Sequence, residues 1–276
     1  MIKHELNEGF HWQDHEGPFR LITAEQARQF DEQGFLVFEE VFDADTIEAL
    51  TGELDPLERE FEALLDERFG GKIFIARSGE ITFAPHMVTR SPKAREFTHS
   101  AFFRDLAHDL LGRDVRLYWD QTVYKKPRTP DGFPWHQDNG YTYVDPQQYL
   151  TCWVALTDAD LENGCPVVAP GLHREGTWAH EQTELGFDCG VDEAGLEPIA
   201  APVRAGGVVV FSSLTPHKTG PNLTADRTRK AYIVQFALDG AHVLERQEGS
   251  TVRRACNAPD RQYPILIDGE EAAHGP

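Results

Sequence analysis

His136 and Asp138 stand two residues apart in Trp135-His136-Gln137-Asp138, and a third candidate ligand, His217, follows about eighty residues later. Two imidazole nitrogens and one carboxylate oxygen fill one face of an octahedral ion and leave the other open for reactants. That donor set suits Fe(II) better than a thiolate set would. Just beyond lies an arginine pair, Arg227 and Arg229. A guanidinium there can grip the carboxylate of a dicarboxylic co-substrate with two parallel hydrogen bonds, a geometry lysine cannot copy. Either arginine alone reads more readily as a surface cation.

The His-x-Asp spacing is weak by itself. With 12 histidines in the chain, roughly one such match is expected by chance at average composition. A decoy exists in His173-Arg174-Glu175, which follows Pro170-Gly171 at a turn. Context favours His136, which follows a strand and a Pro- and Gly-rich loop (126–134) and so sits at a strand mouth. In a strand, residues i and i+2 share a face, so His136 and Asp138 can reach one ion while Gln137 points elsewhere. A buried strand, Val208 to Phe211, delivers His217 just before the turn Gly220-Pro221-Asn222. Arg229 then shares a strand face with Ala231 and Ile233.

The elements that must position these groups are legible in outline. Residues 1–22 form an arm of little periodicity. Thr23-Ala24-Glu25-Gln26 reads as a capping box for a helix to about Gln33, followed by a strand at 35–38. Asp43 or Asp45 caps a long helix through Ile47, Leu50, Leu54, Leu57 and Leu64. Residues 73–76 and 81–84 alternate like a hairpin, and a helix is predicted over 92–112. From there to about 240 come short β-rich runs between turn residues: 115–119, 122–125, 149–156, 167–169, 207–211 and 231–237. Many short strands imply a sandwich or barrel. Helices first and strands after, with no linker, predict one α+β domain over 1–276 with a β-rich core. Its parts are the arm, a helix-rich part at 23–112, the core at 113–240 and a tail at 241–276 with a last strand near 263–267.

Composition excludes several function classes. Against 26 Lys and Arg stand 46 Asp and Glu, a net charge of -20. Such a chain repels nucleic acid phosphates and anionic membranes alike. No apolar run approaches the length of a membrane helix, and the first twenty residues have no secretory signal pattern. The four cysteines are scattered without a Cys-x-x-Cys pair, which suits a reduced, cytoplasmic protein. No basic patch for a nucleotide phosphate is evident, which disfavours a coenzyme A ester. Nothing in the sequence fixes the oligomeric state or the substrate.

Longer segments carry a resemblance. They run from Asp31 to Phe38, from Gln121 to Pro127, through the His136 motif, from Trp153 to Asp158, from Glu162 to His173, from His217 to Asn222 and from Arg229 to Tyr232. Across about residues 27–240 the chain resembles the phytanoyl-CoA dioxygenase family of Fe(II)- and 2-oxoglutarate-dependent oxygenases. The resemblance implies a double-stranded β-helix, the cupin-like jelly roll, with flanking N-terminal helices. It implies iron on His136, Asp138 and His217, and the distal carboxylate of 2-oxoglutarate on Arg229. Here that arginine lies twelve residues after the second histidine where the family has eleven, an offset that an extra loop residue near Ala225 explains; Arg227 stays the runner-up. By family position Gln121 and Lys125 line the co-substrate pocket and Trp153 stands beside it.

The activity so implied is hydroxylation, or a desaturation or cyclisation variant of it, on a small molecule, a natural-product intermediate, amino-acid derivative or acyl compound. It uses O2, yields succinate and CO2, and takes ascorbate as an optional reductant. Asp138 speaks against halogenation, since related halogenases replace this carboxylate by Gly or Ala. Met87, Trp135, Asn139 and Tyr141 are the substrate-side candidates, and His86 beside Met87 reads as a rim or satisfied histidine. Two other classes compete: a non-catalytic cupin-like binding module, and a metal-dependent isomerase or lyase on the same barrel, which would need no Arg229 clamp.

Overall fold

In the computed structural model, which describes residues 1–192 and 195–273, the capping box forms as its residue types dictate. The Thr23 hydroxyl accepts from the Gln26 N–H and the Gln26 side chain accepts from the Thr23 N–H. This starts α1 (Ala24–Gln33), which Gly34 ends in a left-handed conformation. There follow β1 (Phe35–Phe38) and α2 (Ala44–Phe69), the latter capped by Asp43. Three short strands, β2 (Lys72–Ile73), β3 (Ala76–Arg77) and β4 (Ile81–Pro85), stand where one hairpin was expected. The helix predicted over 92–112 is two, α3 (Pro92–Thr98) and α4 (Ala101–Leu110). Long-range contacts make the break: Thr98 Oγ1 lies 2.8 Å from the Tyr263 hydroxyl, and His99 stacks on the Tyr263 ring.

Next comes β5 (Val115–Lys125), one strand and not two. Asp120, whose polarity suggests an interruption, is buried and accepts from the Tyr232 hydroxyl and the Val88 N–H. Then come β6 (Phe133–His136), the one-turn α5 (Asp138–Tyr141), β7 (Val144–Asp145), β8 (Leu150–Ala155) and β9 (Pro166–Val168). They are followed by β10 (Glu181–Thr183), β11 (Gly186–Asp188), β12 (Ile199–Ala200), β13 (Val208–Ser212), β14 (His217–Thr219) and β15 (Arg229–Leu238). The tail holds more than the expected strand: β16 (His242–Gln247) and β17 (Ser250–Ala255) form a hairpin before β18 (Pro264–Ile267) and β19 (Glu270–Glu271).

The large sheet runs in the order β1-β13-β8-β15-β5-β4-β3-β2, with β18 also on β5, and the smaller facing sheet runs β12-β9-β14-β6. All of these pairings are antiparallel. Two antiparallel sheets facing each other make the jelly roll. Alternation explains why the central strands read as unbroken apolar runs. Val208, Val210, Cys152, Val154, Tyr232 and Val234 pack with the helices through Leu50, Leu54, Phe103 and Leu106. Val209, Phe211, Trp153, Ala155, Ala231 and Ile233 face the other way, toward Val168 of the smaller sheet. A sheet covered on both faces takes apolar side chains at most of its positions. The fold thereby closes its helical side completely and keeps its interior side for a site.

Candidate active site

The site opens between the two sheets. His136, the last residue of β6, lies directly across from His217, the first residue of β14, and the two rings sit 4.2 Å apart between centroids. Asp138 is not on the strand, as the i, i+2 argument supposed; it is the first residue of α5. His217 likewise begins β14 and does not continue the Val208–Ser212 strand. The three side chains nevertheless converge. One ligand atom from each lies within 4.8 Å of the others, and His217 Nε2 is 3.9 Å from Asp138 Oδ1.

Each ligand is held from behind. His136 Nδ1 is 2.8 Å from the Pro134 carbonyl and His217 Nδ1 is 3.0 Å from the Thr215 carbonyl. A carbonyl can only accept, so each Nδ1 carries the proton and each Nε2 lone pair is left for a metal. Asp138 Oδ2 accepts from Thr151 Oγ1 at 2.5 Å, and Gln235 Nε2 donates to that hydroxyl at 3.1 Å, which leaves Oδ1 as the oxygen that could face a metal. Gln137 turns away, donating to the Gly176 and Leu214 carbonyls. Burial pushes His136 down to about 3, with His217 as the second cause, and His217 down to about 4. Both rings are neutral, as a ligand must be. Burial raises Asp138, with His136 pulling the other way.

Arg229 opens β15 opposite Lys125 of β5. Its guanidinium is buried, its three nitrogens have no hydrogen-bond partner among the described residues, and it lies 5.3 Å from the centre of the Trp153 ring. Burial lowers it to about 10. A cation taken out of water without a partner is costly, and one bidentate carboxylate would satisfy it. Arg227, the runner-up, is on the surface, paired with Asp160 at 2.8 Å and Glu162 at 3.0 Å.

The cavity, about 530 Å³, reaches from Arg229 and the triad outward and is lined by Gln121, Trp153 and Tyr141 among the expected residues. Tyr141 stands with its ring 5.3 Å from that of His136. Four expectations are corrected, because these side chains do not line the cavity. Lys125 lies behind it, donating from Nζ to the Gly220 carbonyl at 2.5 Å and to Thr219 Oγ1 at 3.2 Å, and so pins the turn after His217. Met87 is in the core beneath the helices. Trp135, one residue from His136, points to the opposite face, against Trp178 and Cys189. Asn139 is consumed by local structure: its Nδ2 donates to Thr177 Oγ1 and its Oδ1 accepts from the Val144 N–H. The decoy His173 is buried against Trp12, with Nε2 3.1 Å from the Asp31 carbonyl. His86 packs on Trp119 outside the cavity.

Sequence reasoning missed Thr151, Gln235, His180 and the aromatic wall of Phe74, Phe133 and Phe187. Gln235 could have been found, since Arg229, Ala231, Ile233 and Gln235 follow one strand face at a period of two. His180 Nε2 accepts from the Gln137 N–H at 2.9 Å, between the two ligands, while its Nδ1 lies 2.9 Å from the Trp178 carbonyl.

Fold and site together define a jelly-roll protein in which a two-histidine, one-carboxylate cluster and a buried guanidinium line one cavity. The chain belongs to the phytanoyl-CoA dioxygenase (PhyH) family, whose sequence model matches residues 30–231. It is 25% identical over 247 residues to an Arabidopsis thaliana phytanoyl-CoA dioxygenase, covering 76% of this chain and 87% of that one. Among solved structures it is similar to the non-haem alpha-ketoglutarate-dependent carbocyclase SnoK from nogalamycin biosynthesis. That match has a TM-score of 0.66 and 23% identity, over 81% of this chain and 87% of that one. It is also similar to EctD from S. alaskensis, crystallised with 2-oxoglutarate and 5-hydroxyectoine, with a TM-score of 0.65 and 22% identity over 80% and 78% of the two chains. At these identities the structural likeness speaks for the fold.

Proposed function

We propose that the protein is an Fe(II)- and 2-oxoglutarate-dependent dioxygenase that hydroxylates an unactivated C–H bond of a small molecule. The observation that carries this reading is the pairing of an intact, metal-ready triad with the unpartnered guanidinium of Arg229. A simple metal-binding module, isomerase or lyase has no use for a buried cation held empty-handed beside its metal. His136, Asp138 and His217 would hold the iron, and Arg229 the distal carboxylate of 2-oxoglutarate, with Trp153 and Gln121 beside it. When bound, iron, 2-oxoglutarate and oxygen supply the oxidation, releasing succinate and CO2, with ascorbate as an optional reductant.

The residues of this chain then do the orienting. Thr151 and Gln235 fix which Asp138 oxygen faces the metal. Phe211, whose ring is 4.2 Å from that of His217, keeps water from the ligand's flank. Among the described residues no helix is long and apolar enough to cross a membrane, and the four cysteines are free and buried, which suits work in a reducing cytoplasm. The reading is tested by succinate formation when Fe(II), ascorbate and 2-oxoglutarate are supplied with a substrate panel. Asp138→Ala should abolish it, and full turnover in that variant would sink the assignment.

A further inference from the structure

The cavity holds two charged side chains among its described lining residues, Asp138 and Arg229, and the dioxygenase reading uses both. The remaining polar groups are uncharged, among them Tyr118, Tyr149 and Thr142. From the triad to solvent runs a file of aromatic faces. His136 meets Tyr141, Tyr141 meets Phe187 at 5.0 Å, and Phe187 meets Phe74 at 5.4 Å. Phe74 is 46% exposed and sits at φ 50 in the turn between β2 and β3. A bulky residue is rarely found in that conformation, yet Phe74 adopts it at the mouth. Flanking Phe74 in the chain, Lys72 and Arg77 are engaged by Glu184, Glu80 and Asp131, three carboxylates against two positive charges.

We propose that the site takes an uncharged, ring-bearing apolar molecule with neutral oxygen substituents, and that Phe74, Phe187, Glu184 and Asp131 set this specificity and turn away phosphate-bearing acyl carriers. Ring faces offer stacking to a flat apolar body, and the carboxylates repel an anionic headgroup at the entrance. The assignment rests on the dioxygenase reading for what happens inside, but recognition is readable without turnover.

The test is direct binding of three probes sharing one ring system: 1-pyrenebutanol, 1-pyrenebutyrate and 1-pyrenebutyryl-coenzyme A. Pyrene fluorescence is followed on the full chain, both metal-free and with Mn(II) plus 2-oxoglutarate. The alcohol should bind at least about tenfold more tightly than the coenzyme A ester. Phe74→Ala and Phe187→Ala should each weaken it, Phe187→Ala by about tenfold. Glu184→Gln with Asp131→Asn should raise affinity for the ester in dilute buffer and matter less in concentrated salt. An ester that binds as tightly as the alcohol overturns the proposal, and so does alcohol binding that ignores both Phe74 and Phe187, or no binding of any probe. Failure of the metal reading would show separately, as no Mn(II) binding with the probe ranking intact.

Discussion

Replacing Arg229 by methionine should make the unliganded protein more stable while destroying its response to 2-oxoglutarate. Burial holds the guanidinium at about 10 against an ordinary 12.5. At about 1.36 kcal/mol per pKa unit, keeping the cation there costs about 3 kcal/mol. The contact with the Trp153 ring at 5.3 Å returns about 1 kcal/mol, and methionine fills much of the same apolar path. The variant should therefore gain about 1–3 kcal/mol, or about 3–10 °C in Tm for a chain of this length. Two charge-assisted hydrogen bonds to a carboxylate are lost, each worth about 1.5–3 kcal/mol, so 2-oxoglutarate should bind at least about a hundredfold more weakly. Thermal melts in Mn(II), with and without 2-oxoglutarate, read both effects at once. The wild type should shift upward on adding 2-oxoglutarate, whereas the variant should start higher and not move. A variant that melts lower and still responds would refute the clamp and the accounting behind it.

Arg227→Ala should leave the KM for 2-oxoglutarate within about twofold, because Arg227 is spent on exposed pairs with Asp160 and Glu162; a large rise would return the clamp to Arg227. His180→Ala frees the Gln137 N–H between two ligands and should weaken Mn(II) binding by about tenfold or more, with unchanged affinity counting against the positioning role. Stability should fall as pH drops from about 6.5 toward 4. In that window the unfolded chain takes up a proton that His173, pushed down to about 4 mainly by burial, refuses while folded. Urea melts of His173→Asn should show a shallower fall over the same window, and an unchanged slope would remove His173 as the cause.

The legible parts of the molecule are those whose chemistry is local. The capping box at Thr23 and the unbroken run Val208 to Phe211 write their requirement into neighbouring residues, whereas the triad is legible only through the longer segments around it. Arg229 against Arg227 could not be decided from spacing, because the difference is depth: one leads a central strand and the other sits in the loop before it. The aromatic wall was illegible for a related reason. Phe74, Phe133 and Phe187 come from three separate segments and meet around Tyr141, the one member expected, and nothing in a phenylalanine says whether it faces a core or a cavity. Trp135 shows the converse error, since closeness to His136 in sequence places it on the opposite face of the strand. The β16–β17 hairpin carries no sequence signal because its strands are mostly exposed and lack apolar alternation.

One regularity shows how the fold prepares its histidines. His136, His180 and His217 each direct Nδ1 to the backbone carbonyl two residues earlier, those of Pro134, Trp178 and Thr215. Each ring's tautomer is thus set within three residues of chain and needs no distant carboxylate to hold it. The consequence lies at Nε2. In His136 and His217 it is left for a metal, and in His180 the same lone pair accepts the Gln137 N–H and steadies the link from the first ligand to Asp138. Burial keeps the two ligand rings neutral into mild acid, so protons do not compete with the metal for them near neutrality. The triad is therefore preorganised by backbone geometry, and substitutions that bend 134–136 or 215–217 should loosen the metal even where all three ligands remain.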